Sequence, residues 1–112
     1  MQITHAMQNG IQVYTFQGDL DVYHADIVHE TLDTKWTNSL VIDVSGVDFI
    51  DSIGLAVLVQ MLKRVRANNG NLCLCGLTSA VRTILHLTRL ERAFRLYTDV
   101  DAALHDLQST KA

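Results

Sequence analysis

The residues of this chain that could do chemistry are concentrated in one short segment around Ser52. Asp51 precedes the serine and Gly54 follows it by two positions, between an apolar strand-like segment and a run of helical character. This order places the hydroxyl at the N-terminal end of a helix, where backbone N–H groups lack partners and the helix dipole is positive. A phosphate on Ser52 would bring about −1.5 to −2 charges into that position. We therefore interpret Ser52 as a candidate phosphorylation site in a binding module.

Carboxylates could form an acidic rim around this serine. Asp48 and Asp51 precede it, and Asp19 and Asp21 follow a strand that we expect to end at the same edge of the sheet. Such a rim could contact a basic partner, or the magnesium ion or an arginine of a kinase. Each acid alone also fits an ordinary cap or turn residue, and Ser52 itself fits an ordinary N-cap.

The predicted helix after Ser52 has more apolar residues than one core-facing stripe requires. The stripe expected to face the sheet is Leu55, Leu58, Val59, Leu62 and Val65. A second row repeats every four residues and comprises Ile53, Val57 and Met61. We predict that this row is exposed for protein docking, the alternative being that it packs under a neighbouring helix. The candidate partner-binding residues are Asp21, Asp51, Ser52, Ile53, Gly54, Val57 and Met61.

Length and composition predict one packed domain over residues 1–112. Hydrophobic residues make up 48% of the chain and charged residues 19%, which is typical of a globular protein rather than a disordered one. A net charge of −3 argues against nucleic acid as the main partner. No apolar run is long enough to span a membrane, and the first residues lack the features of a signal peptide. We expect a cytoplasmic protein with no membrane partner.

The cysteines and histidines predict neither a metal site nor a cofactor site. Cys73 and Cys75 stand two apart in an apolar strand, so both side chains point to one face, where a disulfide is sterically poor. The five histidines are scattered without ligand-type spacing. We interpret both thiols as buried core residues.

The secondary-structure pattern predicts an α/β domain. A hairpin is expected from strands at residues 3–7 and 11–17, joined by Asn9-Gly10, and further strands at 40–44, 71–76 and 94–98. Helices are expected at about 22–35, with Asp21 as N-cap, at 52–67, from Thr78 or Ser79 to about 88, and from Asp99 or Val100 to 107. Alternating strands and helices indicate a largely parallel sheet, which the opening hairpin makes mixed.

Residues 40–55 closely resemble the signature of the STAS domain, as found in bacterial anti-sigma factor antagonists. Gly18-Asp19-Leu20-Asp21 is similar to that family's element after the hairpin, and residues 70–76 resemble its later strand with two flanking glycines. Later apolar positions match as well, so the resemblance covers almost the whole chain. It implies a STAS-like fold: a mixed sheet of about four to five strands with about four helices.

The resemblance also implies a non-enzymatic partner switch. In this family the unphosphorylated domain binds an anti-sigma factor that is also a serine kinase. That kinase phosphorylates the serine matching Ser52, and a metal-dependent serine phosphatase reverses the reaction. Asp21 matches an acidic position associated with partner binding. Ile53 departs from the family, which usually has serine or threonine there, so Ser52 is the sole hydroxyl of the motif at residues 51–55 and the surface is more apolar.

Three other functions fit parts of the pattern. A serine hydrolase would place a nucleophile in this strand–turn–helix outline, but Ile50 stands where its first glycine belongs and no acid and histidine follow convincingly. A small-molecule or nucleotide-binding module would use the helix N-terminus, but the loop is acidic and bulky rather than glycine-rich. A STAS scaffold that does not switch, in another signalling or transport complex, would use Ser52 only as a cap.

Overall fold

A five-stranded mixed sheet forms the centre of the molecule. A computed structural model describes residues 1–32 and 39–109. The strands are β1 (Gln2–Gln8), β2 (Ile11–Gln17), β3 (Leu40–Gly46), β4 (Leu72–Cys75) and β5 (Arg95–Tyr97), and they lie in chain order across the sheet. β1 pairs antiparallel with β2, whereas the other neighbours pair in parallel. The predicted mixed sheet is confirmed.

The opening hairpin forms because Asn9 and Gly10 both accept a left-handed backbone. Their φ angles are 54° and 78°, and Gln8 pairs directly with Ile11 across the two-residue turn. Two positive φ angles match the right-handed twist of the flanking strands, which explains the preference for Asn-Gly at this position.

The helices are α1 (Ala25–Leu32), α2 (Ser52–Ala67), α3 (Ser79–Leu87) and α4 (Val100–Ser109). Thr78 caps α3, accepting a hydrogen bond from the backbone N–H of Val81, so the first of the two predicted caps is correct. The described part of α1 is shorter than predicted, because residues 22–24 form a turn before it. The predicted C-terminal end of this helix, at residue 35, lies outside the described residues.

Each face of the sheet packs against its own set of helices. Alternate residues of the central strands, such as Phe16, Ile42 and Leu74, are fully buried in a core that α1, α2 and α3 share. The opposite residues, including Val41, Cys73 and Cys75, pack against α4. Coverage on both faces explains why β3 and β4 are almost continuously apolar.

The two cysteines are buried free thiols, as predicted. Burial raises the pKa of Cys73 to about 11 and that of Cys75 to about 12. Both thiols therefore stay protonated at neutral pH, and a protonated thiol is a poor nucleophile.

The second apolar row of α2 is not exposed as predicted. Val57 and Met61 each retain only 2% of their accessible surface and belong to the core below α1 and α3, whereas Ile53 retains 44%. The prediction was wrong for Val57 and Met61 because α2 is covered by helices beside it as well as by the sheet. The alternative, that the row packs under a neighbouring helix, holds for these two residues.

Candidate functional site

The N-terminal end of α2 is joined to the segment that follows β2. Leu20 forms an isolated parallel bridge with Ile50: its N–H donates to Phe49 O at 2.9 Å, and its carbonyl accepts from Asp51 N at 3.2 Å. The loop that precedes Ser52 therefore extends the sheet pairing beyond β3. Two stretches about 30 residues apart in sequence are held together at the carboxyl edge of the sheet.

Gly54 allows this close approach. A Cβ atom added to Gly54 would overlap the carbonyl oxygen of Leu20 and lie within 3 Å of its carbonyl carbon. The first turn of α2 thus packs directly against the backbone at Leu20. A glycine two positions after the serine is required by this contact rather than by its φ angle.

Asp51 is the N-cap of α2. Its carboxylate accepts a hydrogen bond from Gly54 N at 2.8 Å through Oδ1 and from Val22 N at 3.0 Å through Oδ2. The bond from Gly54 is the main reason why the pKa of Asp51 lies below its ordinary value of 3.8; desolvation opposes the shift and the bond from Val22 adds to it. One ionised side chain therefore caps the helix and anchors the turn at residues 21–24.

Ser52 is the first residue of α2, and its side chain is exposed. The interpretation of Ser52 as the N-cap is wrong, because Asp51 occupies that position. This difference leaves the Ser52 hydroxyl outside the capping interaction. The hydroxyl lies at the positive end of a 16-residue helix, where the dipole favours an added negative charge.

Asp21 does not form part of an exposed acidic rim. It retains 8% of its surface, its Oδ1 accepts from Tyr23 N at 3.1 Å, and His24 Nδ1 lies 2.7 Å from the same oxygen without the alignment of a linear hydrogen bond. Nor is Asp21 the cap of α1, which begins four residues later. Asp21 instead organises the turn between Leu20 and α1, and of the predicted rim only Asp19 and Asp48 are exposed.

An apolar surface surrounds the serine and comes from three separate segments. Val22 is 53% exposed, Tyr23 84%, Phe49 50% and Ile53 44%. The hydrogen bonds from Leu20 to Phe49 and from Val22 to Asp51 place these segments next to one another. We call Val22, Tyr23, Phe49, Ser52 and Ile53 the serine surface. It collects four of the seven large apolar side chains that are most exposed in the described chain, so it is a cluster rather than scattered exposure.

Sequence reasoning missed three members of the serine surface. The sequence pattern places Val22 and Tyr23 in the first turn of a predicted helix, and it does not single out Phe49 as a contact residue. The available signals were an aromatic residue within an acidic loop, in the case of Phe49, and the adjacent pair Val22-Tyr23, which one buried helix face cannot accommodate. The periodicity of α2 predicted contact residues along one helix. The serine surface instead combines residues from different segments of the chain.

The described residues contain no group of three or more His, Cys, Asp and Glu side chains arranged to hold a metal ion. Within the same residues, no helix combines the length and apolar character needed to cross a membrane. His24, in the turn that Asp51 anchors, lies beside Asp21.

A family model for the STAS domain matches residues 2–103. The chain belongs to the STAS domain family. The anti-sigma-F factor antagonist RsfB of Mycobacterium tuberculosis is 29% identical over 105 residues, covering 91% of this chain and 85% of RsfB.

Solved STAS structures share the fold throughout. An anti-sigma factor antagonist from Mycobacterium paratuberculosis superposes with a TM-score of 0.83 at 27% identity, covering 96% of this chain and 93% of that one. The protein TM1081 of Thermotoga maritima gives a TM-score of 0.89 at 21% identity, covering 95% of this chain and 94% of that one. The predicted family and the STAS-like architecture, with five strands and four helices, are confirmed.

Proposed function

We propose that this STAS domain is an anti-sigma factor antagonist whose binding to an anti-sigma factor is switched by phosphorylation of Ser52. The observation that carries the proposal is the exposed hydroxyl of Ser52 at the start of α2, surrounded by the apolar side chains of the serine surface. Relatives named as anti-sigma factor antagonists support the general role.

The unphosphorylated serine surface suits close contact with a protein. Its exposed apolar side chains bury favourably, and a single neutral hydroxyl can be accommodated by one hydrogen bond. Tyr23 and Phe49 add aromatic area, which is enriched at the centres of protein interfaces. The contact residues proposed from the structure are Val22, Tyr23, Phe49, Ser52 and Ile53.

Phosphorylation changes the interface without requiring the fold to change. The helix dipole at the start of α2 favours a phosphate on Ser52. The same phosphate inside an apolar contact would have to lose its water, and an unpaired charge is strongly unfavourable there. Release of the partner follows from this difference between the free surface and the docked one.

Asp21, Asp51 and Gly54 are proposed to act by positioning rather than by direct contact. Asp51 holds the start of α2 against the turn, Asp21 shapes that turn, and Gly54 permits the backbone approach. Together they fix how the apolar side chains from three segments meet. Val57 and Met61 lie in the core and are not contact residues.

The remaining partners follow from the same proposal. The anti-sigma factor is a serine kinase that uses ATP to modify Ser52, and a metal-dependent serine phosphatase removes the phosphate. The domain itself is non-catalytic, needs no cofactor and works in the cytoplasm without nucleic acid or membrane. A scaffold that does not switch remains the competing function.

The test is phosphosite mapping followed by measured affinity. The purified domain is incubated with ATP and the anti-sigma factor kinase of the source cell, and its intact mass and phosphosites are determined. Affinity for that kinase is then measured by calorimetry for the wild type, Ser52→Ala and Ser52→Asp. We expect one phosphate on Ser52 and at least tenfold weaker binding of Ser52→Asp than of Ser52→Ala, about 1.4 kcal/mol.

Ser79 provides a matched control. It is also exposed and also the first residue of a helix, directly after the cap Thr78, but it lies outside the serine surface. Ser79→Asp should bind as the wild type does, and Ser79 should stay unmodified. Equal affinities of the Ser52→Asp and Ser52→Ala proteins would favour the scaffold, and ester hydrolysis that disappears in Ser52→Ala would favour a hydrolase.

A further inference from the structure

Most of the basic residues of the chain lie in one part of it. Seven of the nine lysines and arginines lie between residues 61 and 95, where Glu91 is the single acidic residue. The first 60 residues contain eight acids and one lysine. An overall charge of −3 therefore hides a strongly basic stretch, which begins in the second half of α2 and ends at β5.

Three arginines of this stretch line one cavity. It has a volume of about 280 Å³ and lies where α2 ends and β4 and β5 begin, with Arg66, Asn71, Arg92 and Arg95 among its lining residues and no acidic side chain among them. Arg66 Nη2 donates to the carbonyl of Ala93 at 2.6 Å. This bond uses one of the five guanidinium donors and holds the group beside the cavity.

A second cavity of about 440 Å³ shares Arg92 with the first. Its lining residues are His86, Arg89, Glu91 and Arg92. Glu91, the one acid of the basic stretch, also lines this cavity, where its Oε2 lies 3.1 Å from His86 Nδ1. Arg89 and Arg92 together carry more charge than this one carboxylate, so positive charge continues from the first cavity into the second. We call the two cavities together the arginine site.

The arginine site is remote from the serine surface. Ser52 begins α2 and Arg66 lies 14 positions later in the same helix. At a rise of about 1.5 Å per residue, roughly 20 Å separate them along the helix axis. The C-terminal end of α2 has a partial negative charge, which favours nearby guanidinium groups before any ligand binds.

We propose that the arginine site binds a small free anion that carries two phosphate groups. Guanidinium groups recognise phosphate oxygens with paired hydrogen bonds, and two adjoining cavities that share Arg92 can each hold one phosphate group. Arg95 is partly compensated by Asp106, whose Oδ2 lies 3.8 Å from Arg95 Nη1, so most of the positive charge comes from the other three arginines. The cavity volumes are those of a small-ligand site rather than of a protein interface. Asn71, between the arginines, can bind a further oxygen of the ligand.

The experiment is calorimetric titration of the complete protein with inorganic pyrophosphate at low and at physiological ionic strength. We expect saturable binding with one site per chain, tighter than that of sulfate at the same ionic strength. Arg92→Gln should weaken the binding at least tenfold, because Arg92 lines both cavities. Arg92→Lys should recover only part of the affinity, since it keeps the charge but loses the paired geometry.

Arg82→Gln is the matched control, because Arg82 is exposed but lines a different cavity, next to Gly76 and Tyr97. It removes the same charge and should leave pyrophosphate binding unchanged. Far-ultraviolet circular dichroism and urea titration check that each variant folds. Absent binding, equal affinity for sulfate and pyrophosphate, or equal losses in Arg92→Gln and Arg82→Gln would each overturn the proposal.

Discussion

The two ends of helix α2 carry surfaces of different chemistry. At the first end the polar groups are used internally: Asp51 accepts from Val22 and Gly54, and Leu20 bonds to the loop on both of its backbone groups. The serine surface there combines exposed apolar side chains with one hydroxyl. At the last end guanidinium groups line two cavities.

This difference indicates two kinds of recognition in one small domain. An apolar surface on fixed backbone segments favours a protein partner, and one added phosphate is enough to disturb it. Clustered guanidinium groups favour an anion and respond mainly to ionic strength. The helix dipole favours opposite charges at the two ends of α2: a phosphate at the start and arginines at the end.

The largest expected effect is a difference in stability between variants at buried and at exposed apolar residues of α2. Met61→Ala should destabilise the protein by about 3 kcal/mol, because it removes a buried side chain and leaves a cavity. Ile53→Ala should change stability by only about 0.5 kcal/mol. Ile53→Ala should nevertheless weaken binding to the anti-sigma factor, whereas Met61→Ala should bind normally at temperatures where it stays folded.

Urea unfolding monitored by circular dichroism measures the stabilities of the two variants, and calorimetry measures their affinities for the anti-sigma factor. If Met61→Ala bound weakly while fully folded, the buried row of α2 would belong to the interface after all. If Ile53→Ala bound as the wild type does, the apolar surface would not extend to the start of the helix.

The next largest effect concerns the backbone contact at the first end. Gly54→Ala should destabilise the protein by about 2 kcal/mol, because its Cβ would overlap Leu20 O and separate the helix from the bridge. The apolar side chains on either side of that contact should shift, so binding should also fall. Urea unfolding gives the stability, and calorimetry at a temperature where the variant is folded gives the affinity.

Gly10→Ala is the control for glycine replacement as such. Gly10 has a φ of 78°, but a Cβ added there meets nothing within 4 Å. It should cost about 1 kcal/mol through backbone strain alone and leave binding unchanged. Normal binding by a destabilised Gly54→Ala would show that the contact supports the fold and not the serine surface.

Local signals in the sequence predicted the fold well. Asn9-Gly10 specified the hairpin, the apolar runs specified β2, β3 and β4, and the helix beginning at Ser52 was predicted with its correct bounds. These features depend on periodicity and turn chemistry within a few residues. The start of α1 was misplaced because Asp21 reads equally well as a helix cap and as a turn residue, and only its contacts distinguish the two.

The site was harder to predict because it depends on pairing between distant segments. Ser52 and Gly54 were identified in the sequence, but the reason for Gly54 is the carbonyl of Leu20. Val57 and Met61 could not be assigned to core or surface without knowing where α1 and α3 pack. The clustering of arginines was visible in the sequence, but only the meeting of β4, β5 and the end of α2 brings them to one place.

The smallest effect should follow from the charge of Asp51. Asp51→Asn should lower the urea midpoint at neutral pH, because an amide has one acceptor oxygen for the two N–H groups that the carboxylate binds. The NH₂ group of the asparagine would face the second backbone N–H group and could not accept its hydrogen bond. Asp48→Asn, in the same loop and fully exposed, is the matched control and should leave the midpoint nearly unchanged.

The pH dependence of this effect has a definite sign. Folding lowers the pKa of Asp51 below its unfolded value of about 3.8, so the carboxylate's contribution is fully present above that value. It is lost as the pH falls through the lower folded value, because the protonated acid, like an amide, opposes one of the two donors. The difference in midpoint between wild type and Asp51→Asn should therefore be constant from pH 5 to 7 and shrink below pH 3.8. A difference that persisted unchanged at pH 3 would mean that Asp51 holds the turn by its shape and not by its charge.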